Sequence, residues 1–365
     1  MRILINIGHP AHVHYFRNII KRMEVKGHQF KVIAKNRGIV HELLEYYKIP
    51  FISRKKYPKN FFLKAMNIPL TDLFFIREAK KFKPDILLSY AGTFISHTGK
   101  VLNIPSISLD DTDSATYAHL SYTPFISTIL TPECFTKSFG DKHLRFRSYL
   151  EMLYLHPNVF NPDKSVLKFL DVKDGDKYSI VRFVSKNSNH DVGLKGLSDD
   201  TKKAVVDTLS KHGKVFITSE ADLPNELEPF RYKIPSHKMH DAIAFSSLLY
   251  GESGTMASES AMLGVPSIFV DNEGRSYTTE QEKRYGLVHN FTESKDDQVR
   301  SVRKATELIS MENPKGAFKK NHMELINENI DMTPFLEWFF ENYPQSVQVV
   351  QSQTDHNRMR GYGNL

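Results

Sequence analysis

Residues 246–271 read S-S-L-L-Y-G-E-S-G-T-M-A-S-E-S-A-M-L-G-V-P-S-I-F-V-D. Leu248 to Tyr250 is a short apolar run that suits a buried strand, Gly264 is a helix stop, and Pro266 to Val270 is a second strand. Between them a helix opens near Ser253-Gly254. A Gly- and Ser-containing turn at a helix start leaves backbone N–H groups facing outward, where the helix dipole favours an anion such as a diphosphate. Ser253, Gly254 and Thr255 are therefore a candidate phosphate cradle. Glu259 lies six residues after Ser253, where its carboxylate can accept bonds from two ribose hydroxyls. On spacing alone a plainer reading stands beside this one: Ser253 caps the helix and Glu259 is a solvated helix residue.

The run S-G-T-M-A-S-E followed by A-M-L-G-V-P-S resembles the donor-binding motif of GT-B glycosyltransferases and of UDP-N-acetylglucosamine 2-epimerases. In the epimerases the run is S-G-G-x-x-x-E before a G-x-P strand, so the spacing from Ser253 to Glu259 matches. The whole chain, with its G-H-P-A-H-V-H-Y-F start, is similar to the family called domain of unknown function 354, itself placed among GT-B-like proteins. The resemblance implies an α/β fold of two Rossmann-like domains with parallel sheets facing across a cleft. It also implies a nucleotide-sugar donor, UDP-linked or carrying another base, and neither a cofactor nor a metal ion.

Length and composition agree with two domains. The chain has 365 residues, 40% hydrophobic and 25% charged, as in a globular protein with two cores of ordinary size. No apolar run reaches the ~18 residues of a membrane span, and M-R-I-L-I-N-I-G reads as a first strand, not a signal peptide, so a cytoplasmic location is expected. The single cysteine, Cys134, excludes an intramolecular disulfide and reads as a small core residue. A net charge of +7 suits anionic partners in general. The absence of RNA-binding aromatic motifs, zinc-finger spacing and basic repeats argues against nucleic acid. Arg54-Lys55-Lys56-Tyr57 and Lys59 to Lys64 mix cations with aromatics, which suits peripheral contact with the inner membrane face; an ordinary basic loop is the competing reading.

The first half is a series of βα units, which predicts a parallel sheet. Arg2 to Ile7 is the first strand, and Val13, Phe16, Ile19, Ile20 and Met23 recur at helical spacing after it. Gly8 to His12 is the intervening turn, which in an open parallel sheet faces the ligand crevice. A histidine there can serve as general base near neutral pH. P-A-H-V-H lines up with the G-G-H-V run of the peptidoglycan lipid-intermediate glycosyltransferases, and the resemblance places His12 over their loop histidine. His12 is thus the first choice, and His9 the second, for the base that deprotonates an acceptor hydroxyl. Binding of phosphate or capping of the helix by these imidazoles stays open. Asp110, Asp111 and Asp113 close the strand Ile104 to Leu109. Asp111 is the candidate acid or base among them, while Asp111 or Asp113 is also a candidate cap for the next helix. The epimerases carry E-A-G here and H-G-D at the Tyr90 turn, where this chain has D-D-T and Y-A-G.

Residues 139–162, rich in Tyr, His, Arg and Pro, read as a linker, dividing a domain of residues 1–162 from one of residues 163–332. Arg182 in the strand Tyr178 to Val184, and Lys186 and His190 beyond it, stand where GT-B folds hold the first loop of the second domain, so the resemblance makes them candidates to neutralise a leaving diphosphate. The resemblance implies that Ile234 and His237 pass the base and that Arg275, Glu280 and Gln281 contact phosphate or donor sugar, with a capping box on a solvated helix as the alternative. Residues 333–344 are expected to form a helix that packs back on the first domain, and residues 345–365 a polar mobile tail. The reading is a glycosyltransferase that moves a sugar from a nucleoside diphosphate to a hydroxyl acceptor, lipid-linked or otherwise, in cell-envelope or polysaccharide synthesis. Its rivals are a UDP-sugar 2-epimerase-like isomerase and an inert sugar-nucleotide-binding protein.

Overall fold

In the computed structural model, residues 1–54, 67–184, 196–219 and 222–354 are described. The chain divides into two compact units, Met1–Tyr154 with Asn329–Leu365, and Leu155–Glu328.

The first unit is built on seven strands: β1 (Arg2–Ile7), β2 (Gln29–Lys35), β3 (Phe51–Arg54), β4 (Ile86–Tyr90), β5 (Ser106–Leu109), β6 (Thr128–Pro132) and β7 (His143–Phe146). They lie in the order β3-β2-β1-β4-β5-β6-β7 and every pairing is parallel. Helices cover a parallel sheet on both faces, so its central strands need apolar side chains in succession. Ile3, Leu4, Ile5 and Ile7 are indeed all fully buried. The strand order reverses between β1 and β4, and in open α/β sheets ligands bind at the carboxyl ends of the two strands flanking such a reversal. The turns at Gly8 and Tyr90 occupy those ends.

The second unit repeats the plan with β8 (Tyr178–Phe183), β9 (Lys214–Ser219), β10 (Leu248–Gly251), β11 (Ser267–Val270) and β12 (Val288–Phe291). The order is β12-β11-β10-β8-β9, again parallel throughout. Here the reversal falls between β8 and β10, at Arg182 and the Gly251-Glu252-Ser253 turn.

Two expectations need correction. The stretch 139–162 is not a free linker: His143–Phe146 is the seventh strand of the first sheet, and Tyr149, Leu150, Leu153 and Tyr154 are buried. Its four residues alternate half-buried and buried, as an edge strand does, and so brief an alternation is hidden within an aromatic-rich composition. The compact units part at Tyr154, earlier than the expected 162. Nor is the segment from Gln345 a polar mobile tail along its whole length. Gln345–Thr354 is a helix whose Ser346 and Val350, four residues apart and hence on one face, are fully buried. Ser346 donates its hydroxyl to the carbonyl of Phe339 at 2.8 Å. Residues 355–365 lie outside the described residues.

The helix Met332–Glu341 packs on the first unit. Glu337 accepts from Arg22 Nε at 2.8 Å and pairs with Lys26 at 2.6 Å, both on the helix Pro10–Val25, while Phe335, Leu336, Phe339 and Phe340 are buried.

Candidate functional site

In the second unit the chain leaves β10 at Gly251 and enters the helix Gly254–Met262. Ser253 has extended backbone angles and its Oγ accepts from the N–H of Met256 at 3.4 Å, so it is the N-cap. The first helical bond runs from the N–H of Ala257 to the carbonyl of Ser253, which leaves the amides of Gly254 and Thr255 without an acceptor in the helix. All three residues are partly exposed. A side chain at Gly254 would place its Cβ 3.0 Å from Tyr277 Oη and 3.1 Å from Arg275 Cγ. The absence of that side chain lets Arg275 and Tyr277 lie directly against the helix start. Arg275 sits among carboxylates, with Nη1 3.4 Å from Glu273 and 3.7 Å from Asp271.

Glu252, which the sequence did not single out, is buried and bonds outward at both oxygens. Oε2 accepts the N–H of Val184 at 3.1 Å and Oε1 that of Leu197 at 2.8 Å. It therefore ties the backbone of Val184 and of Leu197 to the residue beside the N-cap. His190 and Lys186, expected to face a diphosphate, lie outside the described residues. Arg182 is opposite Gly251 in the β8–β10 register, and its carbonyl accepts the N–H of Glu252 at 3.0 Å.

Glu259 is only 5% exposed, and its Oε1 lies 2.9 Å from Nε2 of the buried His240. The solvated-helix reading of this residue is thus overturned: the second turn of the helix faces inward, and an inward carboxylate needs a partner. Gln281 does not face solvent either. It is fully buried and its Nε2 donates to Ser258 Oγ at 2.7 Å, so its amide nitrogen is bound to the helix Gly254–Met262. The half-buried Glu280 pairs with Arg284 one turn on, at 3.2 Å. Ile234 is buried and its N–H is bonded to the carbonyl of Tyr232, while His237 is partly exposed in the short turn Ser236–Lys238. Of the residues expected to bind nucleotide, Ser253, Gly254, Thr255 and Arg275 come together.

In the first unit the β1 turn holds His9 and His12. His9 is exposed and caps the helix Pro10–Val25, its Nδ1 accepting from the N–H of Ala11 at 3.3 Å. His14 is buried against Tyr154, with ring centroids 5.3 Å apart. His12 lies against Tyr90 at 4.8 Å and stacks on Tyr15 at 6.0 Å. Burial, reinforced by the like charges of His9 and Lys35, holds its pKa well below the ordinary value, so the ring is neutral at pH 7. Nδ1 accepts the N–H of Gly8 at 3.2 Å, which places the proton of the neutral ring on Nε2. In this tautomer His12 presents a donor, and Nε2 can act as a base only if the bond from Gly8 is given up.

Asp111 accepts the phenol of Tyr90 at 2.5 Å and the hydroxyl of Thr112 at 3.2 Å. Burial and the adjoining carboxylates raise the Tyr90 pKa well above its usual value, so it stays a donor. Asp110 points the other way and is fully buried, accepting from Tyr122 Oη at 2.5 Å and lying 3.2 Å from His119. Neither Asp111 nor Asp113 caps the next helix, whose N-cap is Ala115; Asp113 accepts from Thr136 instead, at 2.6 Å. Tyr90 escaped the sequence reading although its place, a hydroxyl closing a buried strand before Ala91-Gly92, was visible there. Among the described residues no cluster of three His, Cys, Asp or Glu side chains is arranged to hold a metal ion.

Two parallel α/β units with these strand orders define a GT-B-like fold, and solved structures of that class superimpose on the chain. They include a putative UDP-N-acetylglucosamine 2-epimerase from Listeria monocytogenes (TM-score 0.64, 11% identity, covering 91% of this chain and 92% of that one). The UDP-GlcNAc 2-epimerase from Neisseria meningitidis bound to UDP-GlcNAc has the same TM-score at 13% identity, over 97% and 99% of the two chains. Spinosyn rhamnosyltransferase SpnG complexed with thymidine diphosphate gives 0.58 at 12% identity, over 97% and 100%. The chain belongs to the family described as "Protein of unknown function (DUF354)", which matches residues 1–276. An uncharacterized protein of Methanocaldococcus jannaschii is 25% identical over 285 residues, 73% of this chain and 80% of that one.

Proposed function

We propose that the second unit binds a nucleoside diphosphate-sugar, UDP-linked by resemblance, and that the protein transfers the sugar to a hydroxyl acceptor of a glycan or lipid-linked glycan. The observation that carries this reading is the meeting of unsatisfied amides at Gly254 and Thr255 with the Arg275 side chain, at the strand-order reversal of a parallel sheet. The negative charge that develops on the leaving diphosphate is met by those amides and by Arg275. In the first unit Asp111 is the proton acceptor and His12 donates through Nε2, a division of roles that revises the assignment of His12 as base.

The direct test is thermal unfolding with UDP and a panel of UDP-sugars. Ligand at about 100 times its Kd is expected to add about 2.7 kcal/mol to the stability of the bound protein. If no pyrimidine nucleotide shifts the transition, the proposal fails. The roles in the first unit are separable by substitution. His12→Gln keeps an N–H donor near the Nε2 position and is expected to retain most turnover, whereas Asp111→Asn should lower kcat by about 100-fold or more with nucleotide affinity unchanged. A dead His12→Gln with an active Asp111→Asn would restore His12 as the base.

A second reading, a 2-epimerase-like isomerase, is favoured by the higher TM-scores with the epimerases, 0.64 against 0.58. Incorporation of deuterium at sugar C2 without any acceptor would establish it in place of transfer.

A further inference from the structure

We propose that the first unit docks on an anionic lipid surface through the outer face of three neighbouring helices, Ile68–Phe82, Thr93–Leu102 and Thr116–Tyr122. Half of the fourteen large apolar side chains exposed among the described residues lie between Ile68 and Phe125. Leu70 and Leu73 are 65% and 62% exposed, and Tyr117 and Leu120 are 84% and 66% exposed. Scattered exposed apolar residues need no explanation, but a concentration on adjoining elements does.

The adjacency is fixed by one imidazole. His97, on the middle helix, has Nδ1 3.0 Å from Asp72 on the first helix and Nε2 3.0 Å from the carbonyl of Ser121 on the third. Leu73 follows Asp72 and Leu120 precedes Ser121, so the exposed side chains flank a single bridging ring. The inward faces of the same helices, Phe75, Ile95 and Tyr122, enter one core, so the outward faces share one side of the sheet.

A solvated helix normally turns polar residues outward. Here the helix Ile68–Phe82 exposes Ile68, Leu70 and Leu73 along its first half, and Arg77, Lys80 and Lys81 along its second. Apolar side chains beside cations suit insertion among acyl chains with attraction to anionic headgroups. The charge on the face is one-sided. Asp72 and Glu78 are the sole carboxylates in the three helical sequences; Asp72 is held against His97, and Glu78 pairs with Lys31 and Lys81. Arg77, Lys80 and Lys100 remain exposed. The same excess of cations opposes pairing of this face with a second copy of itself.

The test is co-sedimentation of the whole protein with vesicles of phosphatidylglycerol in phosphatidylcholine, and with phosphatidylcholine alone. Binding to the anionic vesicles only, weakened by salt, is expected. The double substitution Leu73→Glu and Leu120→Glu should lower the partition coefficient by about tenfold or more. Val299→Glu, at an exposed apolar position of the second unit, should leave it unchanged. Both variants are expected to keep the wild-type thermal transition, because the altered side chains are exposed. The proposal is overturned by absence of vesicle binding, by equal binding to neutral vesicles, by insensitivity to the double substitution, or by light scattering that shows a dimer disrupted by it.

Discussion

Gly251→Ala is expected to lower the stability of the second unit by about 3 kcal/mol or more, at the top of the range for overpacked cores. An alanine Cβ at this position would lie 2.2 Å from the carbonyl oxygen of Arg182 and 3.0 Å from its carbonyl carbon and its Cβ. That oxygen belongs to the backbone of the adjacent strand and accepts the N–H of Glu252, so it cannot swing aside as a flexible side chain would. Relief requires β8 and β10 to part at the end that carries Arg182, Glu252 and Ser253. The readout is the urea midpoint of the second unit, followed by far-UV circular dichroism, together with loss of the thermal shift by UDP. Gly38→Ala is the comparison, because a Cβ there meets nothing within 4 Å. It should leave the midpoint unchanged or raise it slightly by reducing the freedom of the unfolded chain. A wild-type midpoint in Gly251→Ala would mean that the two strands are not held at this distance.

The same position shows why much of the fold was legible in the sequence. A glycine closing an apolar run, a serine two residues on, and a glycine stop before a Pro-led second strand are local signals, each with a local cause. They gave the order of strand, helix and strand around Ser253 without tertiary information. The βα succession in the first half was legible for the same reason. What the sequence hid depends on contacts between distant residues. Glu259 reads alike whether it faces water or His240, since His240 lies on a separate helix and only folding brings its Nε2 to 2.9 Å. Gln281 stands in a loop whose resemblance to GT-B enzymes implies a sugar contact, whereas its burial against Ser258 is set by packing between helices. Asp110 and Asp111 are neighbours of one chemical type, yet one points to Tyr122 and His119 and the other to Tyr90, because successive residues leaving a strand face opposite sides. The edge strand β7 failed for a different reason, being too short for its alternation to stand out.

The second large effect concerns Glu259 and rests on the proposed nucleotide site. Its carboxylate is buried, and a buried polar group needs hydrogen-bonding partners. His240 supplies one partner at Oε1. If this carboxylate accepts from the ribose hydroxyls, Glu259→Gln removes charge-assisted bonds of about 1.5–3 kcal/mol, and UDP should bind about 10- to 100-fold more weakly by calorimetry. The more discriminating quantity is the ratio of affinities for UDP and 2′-deoxy-UDP. In the wild type it should favour the ribonucleotide. In Glu259→Gln the preference should shrink towards unity, because the deoxy compound keeps only the 3′-hydroxyl and its affinity falls less than that of UDP. His240→Ala, which frees the carboxylate to turn, should weaken the preference as well, although it removes no group from the nucleotide's reach. A general loss of folding would lower both affinities together and leave their ratio unchanged, so a structural role is distinguishable from a positioning one. If UDP binds the wild type without preferring ribose over deoxyribose, Glu259 is a core residue held by His240, and the cradle at Gly254 and Thr255 must hold the diphosphate without help from the next turn of the helix.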